Sequence, residues 1–259
     1  MPGKAPVPAK AGIRTGFPSG IATHKYAGLD GCKAGWVMVT WTGNPAMAPE
    51  ISLIPDFKTA LATSAHIVAV DMPIGLPRLS GRTCERETRS RLGERQSSVF
   101  AVPSRAAVMQ EDYFASCRVN LEHSDPPRKV SKQCFMLFPK IREIDALITP
   151  GLQTRVWEVH PELCFWAMNG GQPVPLPKKI KSRPNPDGMA LRRELLARSG
   201  FPIDRLQHPK WRKSEVAEDD ILDACACAWS AARIARSEHI TLPAEPEFDG
   251  RGLRMQISA

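Results

Sequence analysis

Five acidic side chains stand at the edges of apolar segments, where a carboxylate is costly unless something uses it. In "HIVAVDMPIGLP" (66–77) an apolar run stops on Asp71 and turns sharply through Pro73 and Gly75. Four consecutive apolar residues, two Val and one Ile among them, predict a strand buried on both faces. Asp30 follows Ala27-Gly28-Leu29, and Glu158 lies between Trp157 and Val159. Asp220 and Asp223 are three apart in "EDDILDACACAWSAARIAR" (218–236), so they share roughly one helical face. Carboxylates that converge repel one another and are costly to bury unless a cation neutralises them. All-oxygen ligands suit Mg²⁺ or Mn²⁺. Two such ions about 4 Å apart activate a water and stabilise the leaving oxygen in phosphodiester cleavage. Four of the five also have an ordinary use. Asp30 and Asp71 serve as turn residues, Asp220 as a helix-dipole partner, and Glu158 as a polar strand end beside His160.

Elements must position these groups. "KYAGLDGCKAGWVMVTWTG" (25–43) reads as two strands joined by a short Gly-containing turn, an antiparallel hairpin. "EISLIPD" (50–56) predicts a third strand and "FKTALATSA" (57–65) a short helix, after which comes the strand ending at Asp71. "TRVWEVHPELCFWAM" (154–168) begins as a strand. "DGMALRRELLARSG" (187–200) is an amphipathic helix, with Asp187 as its expected N-cap and Gly200 at its close. Residues 218–236 form a longer helix, acidic at its start and basic at its end, as the helix dipole prefers.

Bulk properties narrow the classes. Of 259 residues, 42% are apolar and 24% charged, ordinary values for a globular chain. Residues 1–24, rich in Pro, Gly and Ala, hold three cations and no acid, which predicts a disordered basic leader without the apolar core of a signal peptide. The seven cysteines include no C-x-x-C pair, so neither a zinc ribbon nor a disulfide framework is supported, and reduced thiols in a cytoplasmic protein are expected. No apolar run approaches the roughly 20 residues a membrane span needs.

Residues 78–105 carry seven arginines against three glutamates. Arg82, Arg86 and Arg89 are spaced for one helix face that suits phosphate contacts. Arg95, Ser98 and Arg105 follow, and "PLPKKIKSR" (175–183) adds Lys178 and Lys181. The plain alternative is a solvated helix with internal Glu–Arg pairs, and a basic loop.

"GLDGCKAGW", "VAVDMPIGLP", "CERETRSRLGERQSSVFAVPSR", "WEVHPELCFWAMNG" and "DDILDACACAWSAARI" occur in that order across residues 26 to 236. Together they resemble domain-of-unknown-function family 429, described as predicted RNase-H-like nucleases. The resemblance implies an α/β, RNase-H-like fold: a five-stranded mixed sheet, the first three strands antiparallel, flanked by helices. Residues 25–259 would form this one domain, with an Arg-rich helical insertion at about 78–150. It further implies that Asp30, Asp71, Asp220 and Asp223 bind divalent metal, read here as two ions with Asp30 bridging them. The acid-free "FKTALATSA" departs from RNase H, which carries a glutamate on its first helix, and leaves Glu158 as the substitute. The paired Asp of the last helix is similar to the Holliday-junction resolvase branch, where junction cleavage demands a dimer with two sites.

The expected activity is therefore metal-dependent hydrolysis of nucleic acid by two ions, with His160 or a nearby lysine orienting the nucleophile. Aromatic residues make up only 7%, which favours backbone or shape recognition over base reading. Two other classes compete. One is a phosphotransferase or ATPase of the actin and sugar-kinase type, although Cys32 stands where its phosphate hairpin has Gly. The other is a non-catalytic nucleic-acid-binding protein on the same fold.

Overall fold

The computed structural model describes residues 24–181 and 183–259; the expected leader lies outside the described residues apart from His24. Strands β1 (Tyr26–Cys32), β2 (Gly35–Trp41) and β3 (Glu50–Ile54) are followed by helix α1 (Phe57–Leu61) and strand β4 (Ile67–Val70). Helices α2 (Thr83–Leu92), α3 (Arg105–Val108), α4 (Tyr113–Glu122) and α5 (Lys132–Leu147) fill the connection to β5 (Val156–Glu158). Helix α6 (Pro161–Met168), the two-residue strands β6 (Lys179–Ile180) and β7 (Arg183–Pro184), and helix α7 (Pro186–Arg198) come next. Helix α8 (Glu218–Ala235) and a hairpin of β8 (Thr241–Phe248) with β9 (Arg254–Ser258) complete the chain.

The central sheet has the order β3-β2-β1-β4-β5. β1 pairs antiparallel with β2 and β2 with β3, whereas β4 runs parallel to both β1 and β5. This is the mixed five-stranded arrangement that the family resemblance implies, and it keeps the strand–strand–strand–helix–strand order read from the sequence. Helix α7 begins earlier than expected: Pro186 occupies its first turn, where a missing N–H costs nothing, and Asn185 rather than Asp187 precedes it.

Pleat alternation divides the sheet residues between two cores. Val37, Val39 and Ala69 meet α6, α7 and α8 on one face. Leu29, Val68 and Val70 meet α1 and α5 on the other. Helix α8 lies directly over β1 because Ala224 and Ala228 present almost no side chain there. A Cβ on Gly28 would stand 2.0 Å from the Ala228 backbone nitrogen and 2.3 Å from the Ala224 carbonyl oxygen. Gly28→Ala must therefore lift the helix. It is expected to destabilise the protein by about 3 kcal/mol, the upper part of the overpacking range. Urea melts of the variant check this, and a midpoint unchanged from wild type would contradict it.

All seven cysteines are buried and unpaired, as expected. Among the described residues, no helix is long and apolar enough to cross a membrane.

Candidate active site

The closeness of α8 to β1 brings the acids together. Gly28 and Asp30 share one face of β1, the face that α8 covers. In β4 the register Gly28↔Ala69 continues past the strand end, where the Asp71 N–H donates to the Leu29 carbonyl at 3.0 Å. Asp71 thus follows Ala69 onto the α8 side beside Asp30. One helical turn into α8, Asp223 is almost wholly enclosed. Burial pushes the Asp30 carboxyl well above the ordinary carboxylate range, and the negative charges of Asp71, Asp223 and Asp220 push it further. Burial, then the Asp223 charge, raises Asp71 to about 8. Asp223 is raised to about 6, again chiefly by burial. Asp220 sits at the rim of the group. Its Oδ2 accepts the Ala217 N–H at 2.9 Å, so it also holds the first turn of α8.

Glu158, expected to replace the missing first-helix glutamate, lines the same cavity as Asp30 and Asp71, and its charge also raises Asp71, but its carboxylate is turned to other partners. It stands in register with Val70 and so is out of phase with Asp71 on the pleat. Its oxygens accept from Arg82 Nη2 at 2.6 Å, Arg82 Nη1 at 2.8 Å and the Ile74 N–H at 2.7 Å. A carboxylate so committed braces the turn after Asp71.

Arg82, expected to contact phosphate, lines the same cavity, and its guanidinium is engaged by the Glu158 carboxylate. Its guanidinium is buried, with Nε donating to Glu85 at 2.7 Å. Arg105 is likewise committed: its guanidinium pairs with Asp145 at 2.6 Å and Asp249 at 2.6 Å. Asp249 also accepts the Leu76 N–H at 3.0 Å, so the β8–β9 hairpin, which sequence patterning did not reveal, clamps the Asp71 turn from behind. Arg86 and Ser98 are exposed and Arg89 partly so, with Arg89 Nε donating to the Val99 carbonyl at 2.7 Å. Arg95 pairs with Glu94 at 3.0 Å, and Lys181 is exposed beyond β6.

Lys178 is not a peripheral contact. Its ammonium bonds Asp223 Oδ2 inside the acid group, and Asp219 Oδ2 lies 4.0 Å away. Burial alone would lower the lysine, but Asp223, Asp30 and Glu162 hold it above its ordinary value. Lys179 pairs with Asp219 at 2.5 Å. Asp219 and the insertion of Lys178 escaped sequence reading, because helix phase and a loop's path are not encoded in spacing.

Asp30 and Asp71 open into a cavity of about 190 Å³, lined also by Phe100, Gln133, Leu137 and His160. Burial lowers the His160 ring to about 4, so it is neutral near pH 7; its Nδ1 is buried without a partner. Gly31 and Leu137 are shared with a second, adjoining cavity of about 610 Å³. Lys33, Lys140, Lys179 and Lys213 line that one, three of which sequence reading passed over because they are far apart in the chain.

The acids suit a hard divalent cation in chemistry: they are oxygen donors with raised proton affinity, and Asp223 Oδ1 is buried with no hydrogen-bond partner. Among the described residues, no three His, Cys, Asp or Glu side chains already clasp a common point. The positive charge of Lys178 stands among them.

No curated protein and no solved structure matches this chain. The model of the family described as "Protein of unknown function (DUF429)" matches residues 28–248, and the chain belongs to that family.

Proposed function

We propose that the protein hydrolyses phosphodiester bonds of nucleic acid with the help of Mg²⁺ or Mn²⁺. The observation that carries this reading is the buried convergence of Asp30, Asp71 and Asp223, of which Asp30 and Asp71 line a cavity while Asp223 Oδ1 is left buried and unpaired. Nature rarely buries mutually repelling carboxylates without a cation to bind. Asp30, Asp71 and Asp223 would hold the ion, with Asp220 at the rim. When bound, a divalent cation neutralises phosphoryl charge and makes water more acidic.

The chain's own groups supply the rest. Lys33 and Lys213, on the neighbouring cavity, are placed to hold the phosphates of a strand passing Gly31, while Lys179 there is paired with Asp219. Lys140 is less free, since its ammonium donates to the Gly35 carbonyl at 2.5 Å and lies 4.4 Å from the Trp36 ring centre. Neutral His160 lines the first cavity. Phe100 there offers an apolar face on which one base can stack.

The test is incubation of labelled single-stranded, duplex, hybrid and branched nucleic acids with the protein and Mn²⁺. Cleavage of at least one substrate is expected, lost with chelator and lost in Asp71→Asn. A protein that binds these polymers and leaves all of them intact would favour a non-catalytic binder.

A further inference from the structure

Resting on that reading, we propose that Lys178 is a built-in cation of the site, standing where a second divalent ion would otherwise be held, so that the site takes one Mg²⁺ or Mn²⁺ and not two. The first support is its placement. The ammonium bonds Asp223 Oδ2, the oxygen partner of the unpaired Oδ1, and faces Asp219 at 4.0 Å. Asp223 is only 2% exposed, so the oxygen left over points into a space that solvent scarcely reaches.

The second support is that the segment carrying Lys178 is pinned to the scaffold. Its own carbonyl accepts the Asn185 N–H at 2.9 Å. The preceding carbonyl, of Pro177, accepts Asn185 Nδ2 at 2.8 Å, and that of Leu176 accepts Arg192 Nη1 at 2.9 Å. Arg192 is wholly buried and paired with Glu162 at 2.6 Å. Gly188 comes so near that a Cβ there would stand 2.0 Å from the Pro177 oxygen. A lysine on so many anchors belongs to the resting architecture and is not a passing surface contact.

The third support is charge. With Lys178 in place, Asp30, Asp71, Asp220 and Asp223 carry charge for one further dication and a surplus that phosphate does not need. Two dications together with the ammonium would outweigh all four carboxylates. Lys179 meanwhile neutralises Asp219, which removes that acid from the ligand set.

Calorimetric titration of Mn²⁺ into wild type, Lys178→Met, Lys178→Gln and Lys178→Arg tests this without any substrate. Circular dichroism confirms that each variant is folded. One ion is expected in wild type and in Lys178→Arg. Two are expected in the neutral variants, the first bound about tenfold or more tightly than in wild type, because a neighbouring positive charge is gone. Electron paramagnetic resonance should show spin-coupled Mn²⁺ pairs in the neutral variants alone. Two ions in wild type would mean that Lys178 swings aside, and would overturn the proposal while leaving the metal reading intact. A single ion in every folded variant would overturn it as well. No binding to any of the four proteins would instead remove the metal reading itself, and this proposal with it.

Discussion

Asp30→Asn is expected to abolish hydrolysis, by about 10³-fold, the scale on which loss of one preorganised charge-stabilising group acts in a catalytic site. The same substitution is expected to make the metal-free protein more stable. Asp30 is enclosed, and its ionised form is opposed by burial and by Asp71, Asp223 and Asp220. The amide cannot ionise, so the penalty on a buried charge beside three other acids disappears. Each kcal/mol so released raises the melting temperature by about 2–4 °C in a protein of this size.

The sign of the pH dependence follows from the raised carboxyls. Folded Asp71 and Asp223 keep protons up to about 8 and about 6, whereas unfolded aspartate loses them near 3.9. The stability they contribute is complete below the unfolded value and is lost as pH rises through the folded ones. His160, lowered to about 4 from 6.5, acts in the opposite sense but only below 6.5. Between about 6.5 and about 8, metal-free wild type should therefore lose stability, and Asp30→Asn should lose less because the raised carboxyl of Asp30 itself no longer titrates. Mn²⁺ at a hundredfold excess over Kd should stabilise wild type by about 2.7 kcal/mol, raising its melting temperature, and leave the variant unmoved. Thermal melts with chelator or Mn²⁺ across pH decide it. A variant less stable than wild type under chelator would show that Asp30 serves folding and not an ion.

Arg82→Met is expected to be the most damaging single substitution for stability, at about 3–5 kcal/mol, the usual cost of stripping one partner from a buried ion network. Arg82 bonds Glu158 twice, Glu85 once and the Ile74 carbonyl at 3.0 Å, with its side chain 1% exposed. Without it, two enclosed carboxylates face each other uncompensated. The Ile74–Gly75 turn that it holds lies just beyond Asp71, so Mn²⁺ affinity should weaken as well. Arg82→Lys should not rescue, since one ammonium cannot reproduce the forked contacts. Replacing Arg82, Glu85 and Glu158 together by apolar residues of similar volume should recover most of the stability, because no buried charge is then left unpaired. Urea denaturation of the single, the lysine and the triple variants provides the comparison. A single variant as stable as wild type would mean that the network contributes nothing.

Much of the fold was legible because its signals are local. The apolar run before Asp71, the turn between the first two strands and the small-residue helix at 218–236 each state their own structure through period and composition. The β8–β9 hairpin was not legible: β8 has two prolines in "TLPAEPEF" and its register slips between Leu242 and Glu247, so strict alternation is missing.

Sequence alone determined which acids could meet. Asp30 and Asp71 end neighbouring strands, and Asp220 and Asp223 sit three apart on a helix whose alanines let it lie against Gly28. Only tertiary structure decided what each acid does. Pleat phase turned Glu158 toward Arg82, helix phase enclosed Asp219 and Asp223, and the path of a loop delivered Lys178 between them. The physical reason is range. A carboxylate's partner is chosen by residues 45 to 84 positions away, as Lys178 is for Asp223 and Ile74 is for Glu158. No local pattern records a choice made across that distance.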